Sequence, residues 1–338
     1  MDSEQSIRLT SSEIASLWAA YMNNSMSLCT LKYFREKNKD IEIQSIIELA
    51  IEIAETMLQN IKKIYVKENH AIPYGFSETE DVNLNAPPLY SDTFFLHFVH
   101  NMARHGMSSY GAAFSACSRP DTLELLSNAI DLTRNLYFRS LNLLLEKGLY
   151  SRAASIPIPD KVEFIEKQGY LTGWFGDRRP MNALEIMHFY NNMTRNIIGK
   201  ALLLGFAQTA GLQEVRNYMA RGLHIADKVV EFMAHILSEE NISQPPTLES
   251  EVLKSTTPPF SDKLIMFQVT QLSGMSLGYY GVALGTVSRR DLGSKFMRIT
   301  MEAVMYAEDG ANILIDHGWM EKPPSAIDNI EIAKTGKK

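Results

Sequence analysis

Glu185 and His188 stand three residues apart, the Glu-x-x-His spacing by which helices of some four-helix bundles present ligands to a pair of iron or manganese ions. His224 and Asp227 repeat the i,i+3 spacing with other donors, as do Glu52 and Glu55. His97, His100 and His105 form a denser group, in which an i,i+3 histidine pair can hold a divalent ion weakly. A di-metal centre needs such ligands on the apolar face of their helices. Glu52 and Glu55 lie with Glu48 and Gln59 on the side away from Ile46, Ala50, Ile53 and Met57. His224 and Asp227 likewise avoid the face of Gly222, Ile225 and Val229, so a solvated charged face accounts for them. Glu185 and His188 border Ile186 and Phe189, but no second Glu-x-x-His exists to complete the site. His97 and His100 lie off the Phe95–Val99–Met102 stripe, which predicts surface or inter-bundle histidines. The residues call for no cofactor, and iron or manganese is the metal that these positions would take.

A second group is polar and falls on apolar stripes. Asn24 sits in the series 17, 21, 24, 28, and Asn196 in the series 189, 193, 196, 203. A buried amide must be hydrogen-bonded, so Asn24 is predicted to meet the hydroxyl of Tyr110, and Asn196 that of Tyr280. A small-molecule pocket at the same place is the functional alternative, and the 17 methionines would make it adaptable. Arg119 and Arg289 are expected to pair with neighbouring helix ends or, alternatively, to bind an anionic ligand.

These residues recur in pairs because the chain is written twice. A shift of 170 aligns 89–150 with 259–320 and makes 12 of 62 positions identical. The identities cluster at Ser91-Asp92, Tyr110-Gly111, Ser118-Arg119, Asp121 and Gly148 and their counterparts. A shift of 172 matches Glu13-Ile14 with Glu185-Ile186, Phe34 with Phe206 and Glu68-Asn69 with Glu240-Asn241. The chain therefore divides into a first copy (1–150), a linker (151–180), a second copy (181–325) and a tail (326–338).

Each copy carries four helical patterns of about 25 residues, with no competing strand alternation. In the first copy they run from Thr10 to Glu36, from Ile41 to Lys67, from Ser91-Asp92 onward, and from near Asp121, with Glu124 as a capping-box partner, to Gly148. Ser91 and Ser261 are predicted N-caps, with Asp92 and Asp262 in the first turn. Gly111 and Gly281, in mid-helix, imply close approach of a neighbouring helix or ligand. Short joints make the first and second helices antiparallel, and the third and fourth. The long stretches 69–90 and 241–260 are able to cross a bundle from end to end. One long crossover is the ferritin-like arrangement, so the fold class is all-α, two tandem ferritin-like four-helix bundles. Trp174-Phe175 in the linker is expected to pack, giving two docked bundles.

Composition narrows the function. The chain has 338 residues, 45% hydrophobic and 21% charged, with a net charge of -6. That balance argues against a nucleic-acid partner, and no apolar run is long enough for a membrane span. The start MDSEQSIR lacks the apolar core of a signal peptide, and two cysteines, Cys29 and Cys117, cannot build a disulfide framework. A cytoplasmic protein with reduced thiols is expected.

The strings Pro-Phe-Ser-Asp-Lys-Leu at 259–264, Gly-Trp-Met-Glu-Lys-Pro-Pro at 318–324, Arg-Pro-Met-Asn at 179–182 and Gly-Phe-Ala-Gln at 205–208 resemble the domain-of-unknown-function family 3231 of spore-forming bacilli. The resemblance spans about residues 10–325 and implies duplicated ferritin-like bundles with a spore-coat-like, spore-associated setting. It supplies no reaction and no catalytic residues. The first copy follows the motifs less closely, with Leu-Tyr-Ser-Asp-Thr-Phe at 89–94 and Gly-Leu-Tyr at 148–150. The combined reading is a non-enzymatic helical protein with a spore- or stress-associated structural or binding role, its partners unknown, with homo-oligomeric or coat-type assembly as an ordinary outcome. A ferritin-like metal-binding protein or di-metal oxidoreductase is one alternative, and a small-ligand carrier with a site in the bundle core is the other.

Overall fold

The computed structural model describes residues 7–174 and 178–326. Four long helices form the first copy: α1 (Ser11–Lys37), α2 (Ile41–Lys67), α4 (Asp92–Ser115) and α5 (Pro120–Glu146), with the one-turn α3 (Glu78–Asp81) between α2 and α4. The second copy has α6 (Ala183–Thr209), α7 (Gln213–Glu239), α8 (Asp262–Thr286) and α9 (Arg290–Asp316). The starts of α1 and α2 are offset from those of α6 and α7 by 172 residues, and those of α4 and α5 from α8 and α9 by 170. The two shifts in the sequence are thus the two registers of the fold.

The helices begin and end where local chemistry dictates. Thr10 and Asn182 cap α1 and α6 in reciprocal capping boxes with Glu13 and Glu185. Ser91 and Ser261 accept from the Phe94 and Leu264 amides, as N-caps should. Gly148 and Gly318 end α5 and α9 at φ 67° and 66°, and Asn69 and Asn241 take the same left-handed conformation after α2 and α7. The predicted capping box of α5 does not form. Arg119 is the N-cap and Pro120 the first helical residue, because a ring-fixed φ and a missing N–H suit that position. Asp121 lies inside the first turn.

Contacts at the two ends of the first bundle define its topology. At one end the backbone amides of Ser118 and Arg119, leading into α5, donate to Glu13 at the start of α1, at 3.0 and 2.7 Å. There the Arg119 guanidinium also reaches Glu68, just past α2, at 2.7 Å, and Asp121 at 2.7 Å. At the other end Lys147 meets Asp40 and Glu42 at the start of α2, and the Lys39 amide donates to Asp92 at the start of α4. Hence α1 and α5 run one way and α2 and α4 the other, and the segment 68–91 must travel the length of the bundle. The second copy repeats the scheme. Arg289 joins Glu240 and Asp291, its amide donates to Glu185, and His317 stands by Glu214.

The two crossovers meet. Val82 pairs with Phe260 and Tyr90 with Val252 in isolated antiparallel bridges. The N-cap hydroxyl of Ser261 donates to Asp81 at 2.6 Å, and that of Ser91 donates to Glu251, so each copy's third long helix is anchored by a carboxylate of the other. These pairings are related by the 170-residue repeat, and the copies dock about a pseudo-twofold axis as an isologous dimer does. The joint uses complementary sizes. On one side Tyr33 lies edge-on to Phe260, with centroids 5.0 Å apart. On the other, Gly205 stands in place of Tyr33, and Tyr90 reaches past it to donate its hydroxyl to the Leu202 carbonyl at 2.8 Å.

Two expectations are corrected. Trp174 is 57% exposed, so the crossovers dock the copies rather than this linker residue; Phe175 lies outside the described residues. A Cβ on Gly111 or Gly281 would meet nothing within 4 Å, so neither glycine marks a close approach. Gly205, Gly222 and Gly310 do, each filled by a tyrosine from another helix or from a crossover, and Gly106 of α4 does so against Thr133 of α5.

Two predictions follow from these contacts. A Cβ on Gly205 would sit 2.3 Å from the Tyr90 hydroxyl oxygen. Gly205→Ala should therefore destabilise by about 1–3 kcal/mol despite the gain in helix propensity, measured by urea denaturation, and because the ring carbons of Tyr90 also stand in the way, Tyr90→Phe should not restore it. Burial alone would raise the Glu13 carboxyl, but amide hydrogen bonds from Thr10, Ser118 and Arg119 outweigh it and hold the pKa at about 2. A folded pKa below the unfolded value of 4.5 gives stability that is present above that pH and lost as pH falls toward 2. Wild type should exceed Glu13→Gln in stability at neutral pH, and the gap should close on acidification from about pH 4.5 to 2 in a denaturation series.

Candidate functional site

The first bundle does not close. A cavity of about 570 Å³ lies between the N-terminal half of α1 and the C-terminal half of α4, with α2 and α5 behind it. Its origin is local composition. Ala15, Ala19 and Ala20 on α1 face Ala103, Ala112 and Ala113 on α4, and side chains this short leave the two helices unable to fill the gap. The corresponding space in the second bundle is about 100 Å³. There Tyr218 and Tyr306 take the places of Ile46 and Leu136, their rings stacked 4.2 Å apart and each hydroxyl donating to the other's carbonyl. Gly222 and Gly310 make room for them. Arg195 stands where the first copy has Asn23, its guanidinium 3.7 Å from the Tyr279 ring, which replaces Ser109. The duplicated fold thus has one filled core and one open one.

One wall of the open cavity belongs to the other bundle. Gln268, Gln271, Leu272 and Met275 of α8 line it, as Phe98, Asn101 and His105 of α4 line the smaller space. Asn24 donates to the Tyr110 hydroxyl at 2.9 Å at the cavity's edge, and burial raises the Tyr110 pKa against the opposing effect of that bond, keeping the phenol neutral. His105 spans the joint, with Nδ1 3.0 Å from the Tyr279 hydroxyl and Nε2 2.9 Å from the Asn101 amide nitrogen. Burial, aided by Arg195 and Arg104, pushes the His105 imidazole down to about 3, so it is neutral at pH 7. The lining holds no Asp, Glu, Lys, Arg or Cys.

The predicted residues separate into three places. Asn24 and Tyr110 reach the open cavity; Asn196 and Tyr280 form the same bond, also at 2.9 Å, beside the small one. Arg119 and Arg289 lie at the bundle ends, and each guanidinium is engaged by two carboxylates and a backbone carbonyl. The histidines and acids considered for metal do not converge, and among the described residues no three His, Cys, Asp or Glu side chains gather as metal ligands. Glu185 is bound to Arg179 and to its own cap, and His188 lies 2.6 Å from the Thr286 hydroxyl. His224 is exposed, and Asp227 pairs with Lys200 at 2.5 Å. His97 is half-buried and His100 buried beside the inter-bundle space, His100 3.0 Å from Ser140 and stacked on Tyr137, so the inter-bundle setting rather than the surface one describes them. Asn101 and Gln268 escaped the sequence reading. The alanines of α1 and α4 were the available signal, but their pairing requires knowing which faces meet.

A family model described as Protein of unknown function (DUF3231) matches the chain twice, over residues 2–162 and 170–332. No curated protein matches it. A solved structure from Bacillus halodurans C-125, provisionally described as a spore coat protein, is 15% identical, with a TM-score of 0.42 over 44% of this chain and 98% of that one.

The Asn24–Tyr110 bond ties α1 to α4 at the edge of the gap, where little else joins them. Asn24→Leu and Tyr110→Phe should lose stability non-additively, with a coupling of about 1 kcal/mol in a double-mutant cycle read by chemical denaturation. Simple additivity would show that the bond contributes nothing.

Proposed function

The chain belongs to the family Protein of unknown function (DUF3231), and from that premise we propose that it is a non-enzymatic binding protein that takes a small molecule into its first bundle. The observation that carries this is the contrast between copies: a cavity of about 570 Å³ in one and a tyrosine-filled core in the other. A volume in that range suits a drug-sized ligand. The space opens to solvent past Ala15, Ala19 and Ala112, and the second copy shows that this fold can be filled. The non-enzymatic reading is supported by the lining itself. Its titratable groups, His105 and Tyr110, are both neutral and hydrogen-bonded, and no acid–base pair faces the space. The crossover topology of each copy supports a ferritin-like description of the bundles. A spore-associated setting enters the proposal through the sequence resemblance.

Ala20 lines the cavity and is half-buried, so Ala20→Leu should fill space without breaking a contact. In a thermal-shift screen of mainly apolar small molecules, ligands should stabilise wild type by about 2.7 kcal/mol at a hundredfold excess over Kd and stabilise Ala20→Leu less. Equal shifts in both proteins, or no shift in either, would count against the cavity as the site.

A further inference from the structure

We propose that the outer face of α9 is a dimer interface, on which a second copy of this chain packs its own α9 antiparallel about a twofold axis. The inference is independent of the small-molecule reading, since the cavity opens between α1 and α4 of the other bundle.

Met297, Met301, Val304 and Met305 follow one another at i, i+4, i+7 and i+8, so they share one face of α9. They are 60%, 58%, 41% and 57% exposed. A contiguous apolar stripe on an outer helix marks an interaction surface, and methionine is enriched where protein interfaces are dry. The first bundle shows that the fold does not require the stripe. At the corresponding positions of α5 stand Ser127, Asp131, Arg134 and Asn135, and there Arg134 pairs with Asp131 at 3.0 Å, as on a solvated face. On the side of α7 the stripe is bordered by ion pairs, Asp309 with Arg221 at 2.6 Å and Glu302 with Lys228 at 3.3 Å. An apolar strip with a polar margin is the anatomy of a protein–protein contact.

The charges beside the methionines name the occupant. Arg290, Arg298, Glu308 and Asp316 are exposed, and none has an ion-pair or side-chain hydrogen-bond partner among the described residues. The two bases stand in the N-terminal half of α9 and the two acids in its C-terminal half. That is the reverse of what the helix dipole favours, so helix stability does not account for them. Arg298 and Glu308 are equally far from Ala303, as are Arg290 and Asp316, and as are Met301 and Met305. An antiparallel copy centred on Ala303 therefore brings each arginine level with an acid of its partner, and Met301 level with the partner's Met305. Parallel packing would set like charges level with one another. The pattern complements itself, as an isologous contact demands, and opposed charges of this kind fix register. In the first copy Asn128 and Phe138 replace Arg298 and Glu308, so the charges are absent where the stripe is absent.

Sedimentation equilibrium on the full chain tests the proposal. Wild type should approach twice the chain mass as its concentration rises through the micromolar range. Met301→Glu should raise the dissociation constant by roughly tenfold or more. Arg298→Glu should do the same, because the twofold axis turns two attractive pairs into two repulsive ones, and adding Glu308→Arg should bring it back to within about threefold of wild type. All three positions are exposed, so helicity by circular dichroism should be unchanged. A wild type that stays a monomer at every concentration would overturn self-association and leave the face to a partner of another kind. A dimer that Met301→Glu does not weaken would place the contact elsewhere and overturn the assignment to α9. Failure of the double reversal to recover what Arg298→Glu loses would overturn the antiparallel register.

Discussion

Arg119 and Arg289 carry positive charge into nearly water-free positions, and that charge must be answered on every side. An unpaired buried ion costs several kcal/mol, whereas a fully hydrogen-bonded one is close to neutral relative to an apolar substitute. The partners that answer Arg119 come from Ile7 ahead of α1, the residue after α2 and the first turn of α5, and Glu13 holds its backbone amide. The clasp therefore adds less to net stability than to specification. Chains that place the wrong helix ends together leave a guanidinium or a carboxylate buried alone. Once these ends coincide, α2 and α4 must run parallel, and the connection between them must travel the whole bundle.

That forced crossover is then put to use. Each crossover carries its own carboxylate, Asp81 or Glu251, to the N-cap serine of the other copy's third long helix. A long connection would otherwise expose unpaired backbone groups; here two such segments satisfy one another at the molecule's centre. The aromatic joint departs from symmetry only where it must. Tyr33 and Phe260 put two rings on one side, whereas on the other Gly205 leaves room for the single ring of Tyr90 to reach the Leu202 carbonyl.

Divergence between the copies follows the same logic of conserved frame and altered filling. The clasp, the caps and the Asn–Tyr bond persist in both. The core does not: Ile46, Ala50, Leu136 and Ser140 in the first copy correspond to Tyr218, Gly222, Tyr306 and Gly310 in the second. Each large tyrosine is matched by a glycine that accommodates it, which closes one core, while alanines on facing helices hold the other open. A frame fixed at its ends can tolerate such a change in the middle.

The sequence by itself determined the helices, their caps apart from that of α5, the duplication and its two registers, because these depend on residues within a few turns or on self-comparison. It also exposed the members of the clasp and the Asn24–Tyr110 pair, since a polar residue on an apolar stripe demands a partner and few candidates exist. The glycine readings failed where they assumed that a mid-helix glycine must touch something; Gly111 faces open space, and Gly205 proved to be the contact. His100, off the apolar stripe of α4, is buried against Ser140 and Tyr137 of α5 at the edge of the inter-bundle space. Only tertiary structure decided the cavity, its α8 wall and the bare apolar face of α9. An unfilled volume is the shortfall of side chains far apart in the chain, and a helix face is known to be uncovered only when every neighbour is in place.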